Sequence, residues 1–188
     1  MTAAGGGAGE SARAAKAARA AKAGRAGDSS RTGGSDLAGA AARTELLALY
    51  DEFDRETARV SPICRASGRC CDFDAFGHTL FCSRLEAEVL VEEAGLEAFD
   101  PQSRLCPHWK DRRCTARSPR PLGCRAFFCD ASKADAMAEL HEAFLRRLKD
   151  LHDRHGIPWD YAPLLRHLAA IETGSRRPGG AASAEESR

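Results

Sequence analysis

Apolar residues at helical spacing mark the first element of the chain, over about Arg43 to Arg59. Leu46, Tyr50, Phe53 and Val60 fall on one stripe. Ser61-Pro62 ends it, because the residue before a proline avoids helical backbone. A shorter helix begins at Ser83-Arg84-Leu85-Glu86, a capping box with Ser83 as N-cap and Glu86 at the third helical position. Leu85, Val89 and Leu90 give it an apolar face, and Gly95 suits a left-handed cap at its end. A longer helix is predicted from about Lys133 to Arg154, capped by Ser132. Met137, Leu140, Phe144, Leu148 and Leu151 form its stripe, and Gly156 and Pro158 end it. The last helix starts near Asp160 or Pro163, with Tyr161, Leu164, Leu165, Leu168 and Ile171 facing inward and Gly174 closing it.

Between Asp100 and Asp130 the periodicity vanishes. Pro101, Pro107, Pro119 and Pro121 break the stretch into loops. An irregular segment of that length inside a compact domain needs something besides apolar packing to fix it. Residues 1–43 and 174–188 are mostly Ala, Gly, Ser and charged residues. They are read as disordered tails, because they cannot bury enough apolar surface to offset the entropy of ordering. The pattern therefore predicts one mainly α domain over 44–173, a small helical body around an irregular, cysteine-rich, metal-pinned loop region.

Charge and targeting add little. The formal net charge is +1, which argues for no particular partner. No apolar run approaches the ~18 residues of a transmembrane helix, so no membrane partner is expected. No secretory signal is recognisable either, so a cytoplasmic chain is expected. In the tail, Arg13, Lys16, Arg19, Lys22 and Arg25 recur every third residue in an Ala background. A transient basic helix touching nucleic-acid phosphates is one reading of them. Gly24, Gly27 and the absence of aromatic residues favour a solvated tail instead.

The chemistry sits in the irregular segment. All eight cysteines lie between Cys64 and Cys129. A reducing compartment keeps thiols from pairing, so clustered cysteines there point to metal ligation or redox chemistry before a disulfide framework. Thiolates are soft ligands and select zinc, copper(I) or iron–sulfur over magnesium or calcium. The candidate ligands are Cys64, Cys70, Cys71, Cys106, Cys114, Cys124 and Cys129. Neither the knuckle spacing of zinc fingers nor the common ferredoxin spacings occur. Adjacent Cys70 and Cys71 are expected to point different ways, with one ligating and the other packing or serving a second centre. Arginines surround Cys114 and Cys124, and nearby cations stabilise thiolate. Arg120 and Arg125 are the candidates for compensating the charge of a bound cofactor. His108 is a second-tier ligand, and no catalytic triad or carboxylate pair can be assigned.

Cys64-Arg65-Ala66-Ser67-Gly68-Arg69-Cys70-Cys71 resembles the signature of the YkgJ-like CxxCxxCC family of zinc- or iron-chelating proteins. Cys106-Pro107-His108-Trp109, then Cys114, then Arg120-Pro121-Leu122-Gly123-Cys124-Arg125-Ala126-Phe127 is similar to the same family's later motifs. Ser83-Arg84-Leu85-Glu86 falls at its helix start. The chain departs at Ser67, which stands where the signature has its second cysteine. Two expectations for Cys82 follow: a substitute sulfur approaching Ser67, or a free buried thiol acting as a small hydrophobe, the reading favoured. The resemblance implies a bound iron–sulfur cluster or zinc. Iron leads to electron transfer or redox sensing, and zinc to a structural site in a module for a protein partner. A related cysteine signature in flagellin lysine N-methylases gives the third reading, S-adenosylmethionine-dependent methyl transfer.

Overall fold

The computed structural model describes residues 32–175 other than 66 and 76. The basic tail residues Arg13 to Arg25 and the stretch 176–188 lie outside the described residues. Among the described residues five α-helices carry the fold, which is mainly helical as the apolar pattern predicts.

Helix α1 spans Thr32–Val60 and is longer than expected, entering a stretch read as disordered tail. Alanine has the highest helix propensity, and Ala42 is fully buried beside Leu46, so this Ala-rich run has a surface to pack on. The helix stops at Val60. Ser61 takes a left-handed conformation (φ 54°) before Pro62, and its amide closes on the Thr57 carbonyl. Leu46, Tyr50 and Phe53 form the buried stripe, with Val60 partly buried against the same core.

Strand β1 (Phe81–Ser83) runs directly into helix α2 (Arg84–Ala94). Strand β4 (Tyr161–Pro163) runs as directly into helix α5 (Leu164–Ser175). The strands pair antiparallel, with Cys82 opposite Ala162. The first amide of each helix extends this ladder. Arg84 donates to the Asp160 carbonyl at 2.9 Å, and Leu164 donates to the Leu80 carbonyl at 2.8 Å. One orphan N–H of each helix start is thus satisfied by the other unit. Neither strand is legible in the sequence, since three residues carry no alternation.

Helix α2 is the hinge between two cores. Leu85 and Val89 join α1 and helix α4 (Ala134–His155) in one cluster, through Phe53, Phe144 and Leu148 among others. Ala87 and Leu90 face a second cluster with Leu164, Leu168, Phe73 and three cysteines. The expected capping box is present in full: Glu86 N–H donates to Ser83 Oγ at 3.3 Å, and Ser83 N–H to Glu86 Oε2 at 2.7 Å. Its carboxylate does more than cap. Oε1 also accepts the Leu122 amide (2.8 Å), which opens the short helix α3 (Leu122–Ala126), and the Tyr50 hydroxyl (3.1 Å). The residue is only 1 % exposed.

The start of α4 differs from expectation. Ser132 does not cap it: Asp130 caps a 3-10 turn over Ala131–Lys133 that precedes the helix, its Oδ1 accepting the Ser132 amide and hydroxyl, and Lys133 at the N-cap of α4 makes no side-chain cap bond. An aspartate bonds readily to the backbone two residues on, and here that takes up Ser132 as its donor. Gly156 ends α4 in the left-handed conformation, as the sequence predicts. No helix among the described residues is long and apolar enough to cross a membrane.

Replacing Glu86 by Ala strands three buried donors. The expected loss is about 3 kcal/mol or more in urea unfolding, against about 1 kcal/mol for Tyr50→Phe, which removes one donor along with its need. Equal effects of the two substitutions would show that the carboxylate does not join the three helices.

Candidate metal centre

Two local devices bring distant cysteines together. After Gly68 the chain makes a 3-10 turn over Arg69–Cys71, closed by the Cys71 amide on the Gly68 carbonyl at 3.0 Å. The next residues pair antiparallel with 104–106. Cys106 donates to the Cys71 carbonyl and Phe73 to the Arg104 carbonyl, both at 2.9 Å, around an Asp72–Leu105 bridge. Cys71 and Cys106 are thereby set side by side.

Cys114 arrives by a hairpin that the proline-broken sequence does not announce. Strands β2 (Trp109–Lys110) and β3 (Arg113–Cys114) pair with Trp109 opposite Cys114. Their two-residue loop, Asp111-Arg112, has positive φ at both positions (48° and 60°). Such loops match the twist of a hairpin but favour Asn-Gly, so the usual sequence signal is missing. Gly68 docks the cysteine turn on this hairpin. Its φ is 68°, and a Cβ there would stand 2.3 Å from the Arg112 carbonyl oxygen.

Cys70, Cys71, Cys106, Cys114 and Cys124 line one cavity of about 30 Å³, together with His78, His108, Arg120, Leu80 and Leu164. Cys71 is its centre. Hydrogen bonds with Cys106, Cys114 and Cys70, in that order, keep its thiol protonated and push it far up. The same contacts hold Cys70 and Cys114 down to about 6, against the opposing effect of burial, with Arg120 also lowering both. Cys106 is lowered for the same first reason. Burial pushes the Cys124 thiol well up, which Arg120 partly opposes. Both adjacent cysteines thus face the cavity, contrary to the expectation for Cys70 and Cys71. That expectation holds for extended or α-helical backbone, and the 3-10 turn is neither.

His108 is 7 % exposed, and its Nε2 is buried without a hydrogen-bond partner. Burial lowers its pKa, which leaves a neutral imidazole on the wall. His78 lines the cavity too, stacked on Phe127. Among the described residues, however, no group of three or more His, Cys, Asp or Glu side chains is placed so as to hold a metal ion. The cysteines share one cavity wall, and ligation requires their side chains to rearrange.

The remaining expected ligands lie elsewhere. Cys64 is exposed. Its neighbour Ile63 donates its amide to Asp130 Oδ2 at 3.2 Å, which lays this segment beside Cys129. Ser67 Oγ is 3.9 Å from Cys129 Sγ. The position where the signature has a cysteine therefore adjoins Cys129. Cys82 is fully buried in the second core, where burial and Glu86 raise its thiol; its neighbours are Cys124 and Asp160. That is the placement of a small buried hydrophobe.

The two arginines also differ. Arg120 lines the cavity and donates Nε to the Arg117 carbonyl at 3.0 Å. Arg125 is 5 % exposed and engaged with protein. It pairs with Asp54 at 2.5 Å, donates to the Arg120 carbonyl at 2.8 Å and to the Ser118 carbonyl, and lies over the Tyr50 ring at 4.3 Å. It clamps the loop before α3 onto α1. Asp54 and Tyr50 as its partners have no sequence signal, because the contact spans two remote segments.

No protein-family model, curated protein or solved structure matches this chain.

Gly68→Ala should lower the thermal midpoint far more than Gly77→Ala. Both glycines have positive φ, but nothing lies within 4 Å of a Cβ at Gly77. The Gly77 change carries only the backbone penalty of about 1 kcal/mol. Similar midpoints for the two variants would contradict the docking of the cysteine turn on the hairpin.

Proposed function

We propose that Cys70, Cys71, Cys106 and Cys114 hold one soft metal ion, zinc, as the structural centre of an interaction module for a protein partner. The observation that carries this reading is that these four cysteines, brought from three separate segments, line one cavity. Two sulfurs on one tetrahedral zinc stand about 3.8 Å apart, given a bond of about 2.3 Å, which is contact distance for sulfur. Sulfurs on the wall of one cavity need side-chain rotation to share an ion. The donor set is sulfur alone, with His108 as the nearest nitrogen, and it suits a soft ion. Arg120 would offset the negative charge of four thiolates. The resemblance to the YkgJ-like family points the same way and rests on these motif residues.

A bound zinc would supply folding energy and no reaction, since four protein ligands leave no open position. The chain's own residues do the rest. Gly68 lets the turn and hairpin approach, the 71–106 pairing sets the register, and Leu80 and Leu164 close the apolar wall. An iron–sulfur cluster is the second reading, favoured by the fifth sulfur, Cys124, on the same wall and by the proximity of Arg120. The methylase-like reading draws no support from this cavity, since about 30 Å³ holds an ion or a water or two rather than a nucleoside.

Anaerobic purification with metal analysis and a visible spectrum decides between them. The expected result is a colourless protein with one zinc per chain. Cys71→Ala should lose the metal and Cys82→Ala should keep it. A brown protein with iron and acid-labile sulfide selects the cluster, and metal-free protein with intact disulfides rejects both. Chelation under reducing conditions should lower the thermal midpoint sharply, and an unchanged midpoint would remove the metal from the fold.

A further inference from the structure

The hairpin that delivers Cys114 has a second property, which is independent of what the cavity holds. Asp111 is the sole carboxylate between 104 and 125. Three basic residues of that stretch have carboxylate partners: Arg104 with Asp74, Lys110 with Glu97 and Arg125 with Asp54. Arg112, Arg113 and Arg117 form no ion pair and no side-chain hydrogen bond among the described residues, and all three are exposed. Exposed arginines on the helices are paired in part, as Arg59, Arg147 and Arg154 are; Arg55, Arg146 and Arg166 form no ion pair among the described residues but stand on separate helices. Three such guanidiniums within six residues occur on this hairpin and its exit.

The backbone adds a separate observation. Arg112 occupies a left-handed position (φ 60°) in the two-residue loop, where Gly is the relaxed choice. A bulky residue held there stores strain, and such strain clusters where side-chain identity matters. The base of the hairpin is fixed. Trp109 pairs with Cys114, the Trp109 amide closes on the Cys106 carbonyl at 2.9 Å, and Gly68 packs under the Arg112 carbonyl. The arginines are therefore presented on a stiff two-stranded ribbon, at little entropic cost to a partner.

We propose that this hairpin is a contact surface for the phosphate backbone of a single-stranded nucleic acid, held by Arg112, Arg113 and Arg117. Guanidinium forks match phosphate oxygens in bidentate geometry, and three of them on a narrow ribbon suit a linear anion. Phe81, which follows cavity-lining Leu80, is stacked on Tyr161 and stays partly exposed, so its ring offers a surface of the kind single strands stack on.

The test is fluorescence anisotropy of the full chain with a short labelled single-stranded oligonucleotide, with metal content measured for every variant. Three phosphate contacts give a log–log salt slope of about −2, so affinity should fall about 20-fold between about 50 and about 200 mM salt. The triple variant Arg112→Ala, Arg113→Ala, Arg117→Ala should bind at least roughly 10-fold more weakly, with most of that slope gone. A variant with Arg13, Lys16, Arg19, Lys22 and Arg25 changed to Ala should retain the hairpin's share of affinity. Arg112→Gly relaxes the turn, so it should raise the thermal midpoint while weakening binding, which separates contact from folding. Undiminished binding by the triple variant overturns the proposal, as does loss confined to the tail variant. Displacement of the oligonucleotide by poly-glutamate at equal charge concentration overturns it in favour of an acidic protein surface.

Discussion

One buried carboxylate decides how the helices meet. Glu86 receives the Ser83 amide, the Leu122 amide and the Tyr50 hydroxyl on two oxygens, in a site almost closed to water. A buried charge with its acceptor capacity filled is tolerated, and one left short is severely destabilising. Three elements must therefore present donors at one point: α1 through Tyr50, α2 through its own cap, and α3 through its first amide. The consequences reach the cysteines. Helix α3 carries Cys124, and its Arg125 returns to α1 through Asp54 and the face of the same Tyr50. The loop that ends at the cavity is thus tied twice to a helix far away in sequence.

This explains which features were legible in the sequence. Helices α2 and α4 show in their apolar stripes and terminal glycines, and the capping box of α2 is present down to both hydrogen bonds. Those signals are local. What stayed hidden depends on partners distant in the chain. Strands β1 and β4 are three residues each and exist because each ladder continues into the other unit's helix. The β2–β3 hairpin turns on Asp111-Arg112, where strain replaces the usual glycine. The expected cap at Ser132 gave way to a 3-10 turn closed by Asp130, whose other oxygen holds the remote Ile63 amide.

The cysteines follow the same rule. Chain order suggests a set of Cys64, Cys70 and Cys71 and a later set from Cys106 to Cys129. Space sorts them differently. Cys70 and Cys71 join Cys106, Cys114 and Cys124 on one cavity, while Cys64 and Cys129 lie on adjoining segments with Ser67 between. The Ser67 hydroxyl therefore adjoins the peripheral pair and not the cavity's sulfurs. A single glycine, Gly68, separates the two groups and lets the turn after it reach the hairpin.

Leu164 gives the cavity a schedule as well as a wall. It is the first residue of α5, and its amide completes the ladder at Leu80. During synthesis the four sulfurs around Cys71 emerge well before this residue. Until the last helix docks, the cavity lacks the wall that Leu164 supplies. Domains with such long-range closure form late and are vulnerable while incomplete. The ribosome thus hands over a chain in which those four sulfurs precede, by about fifty residues or more, the residue that closes over them.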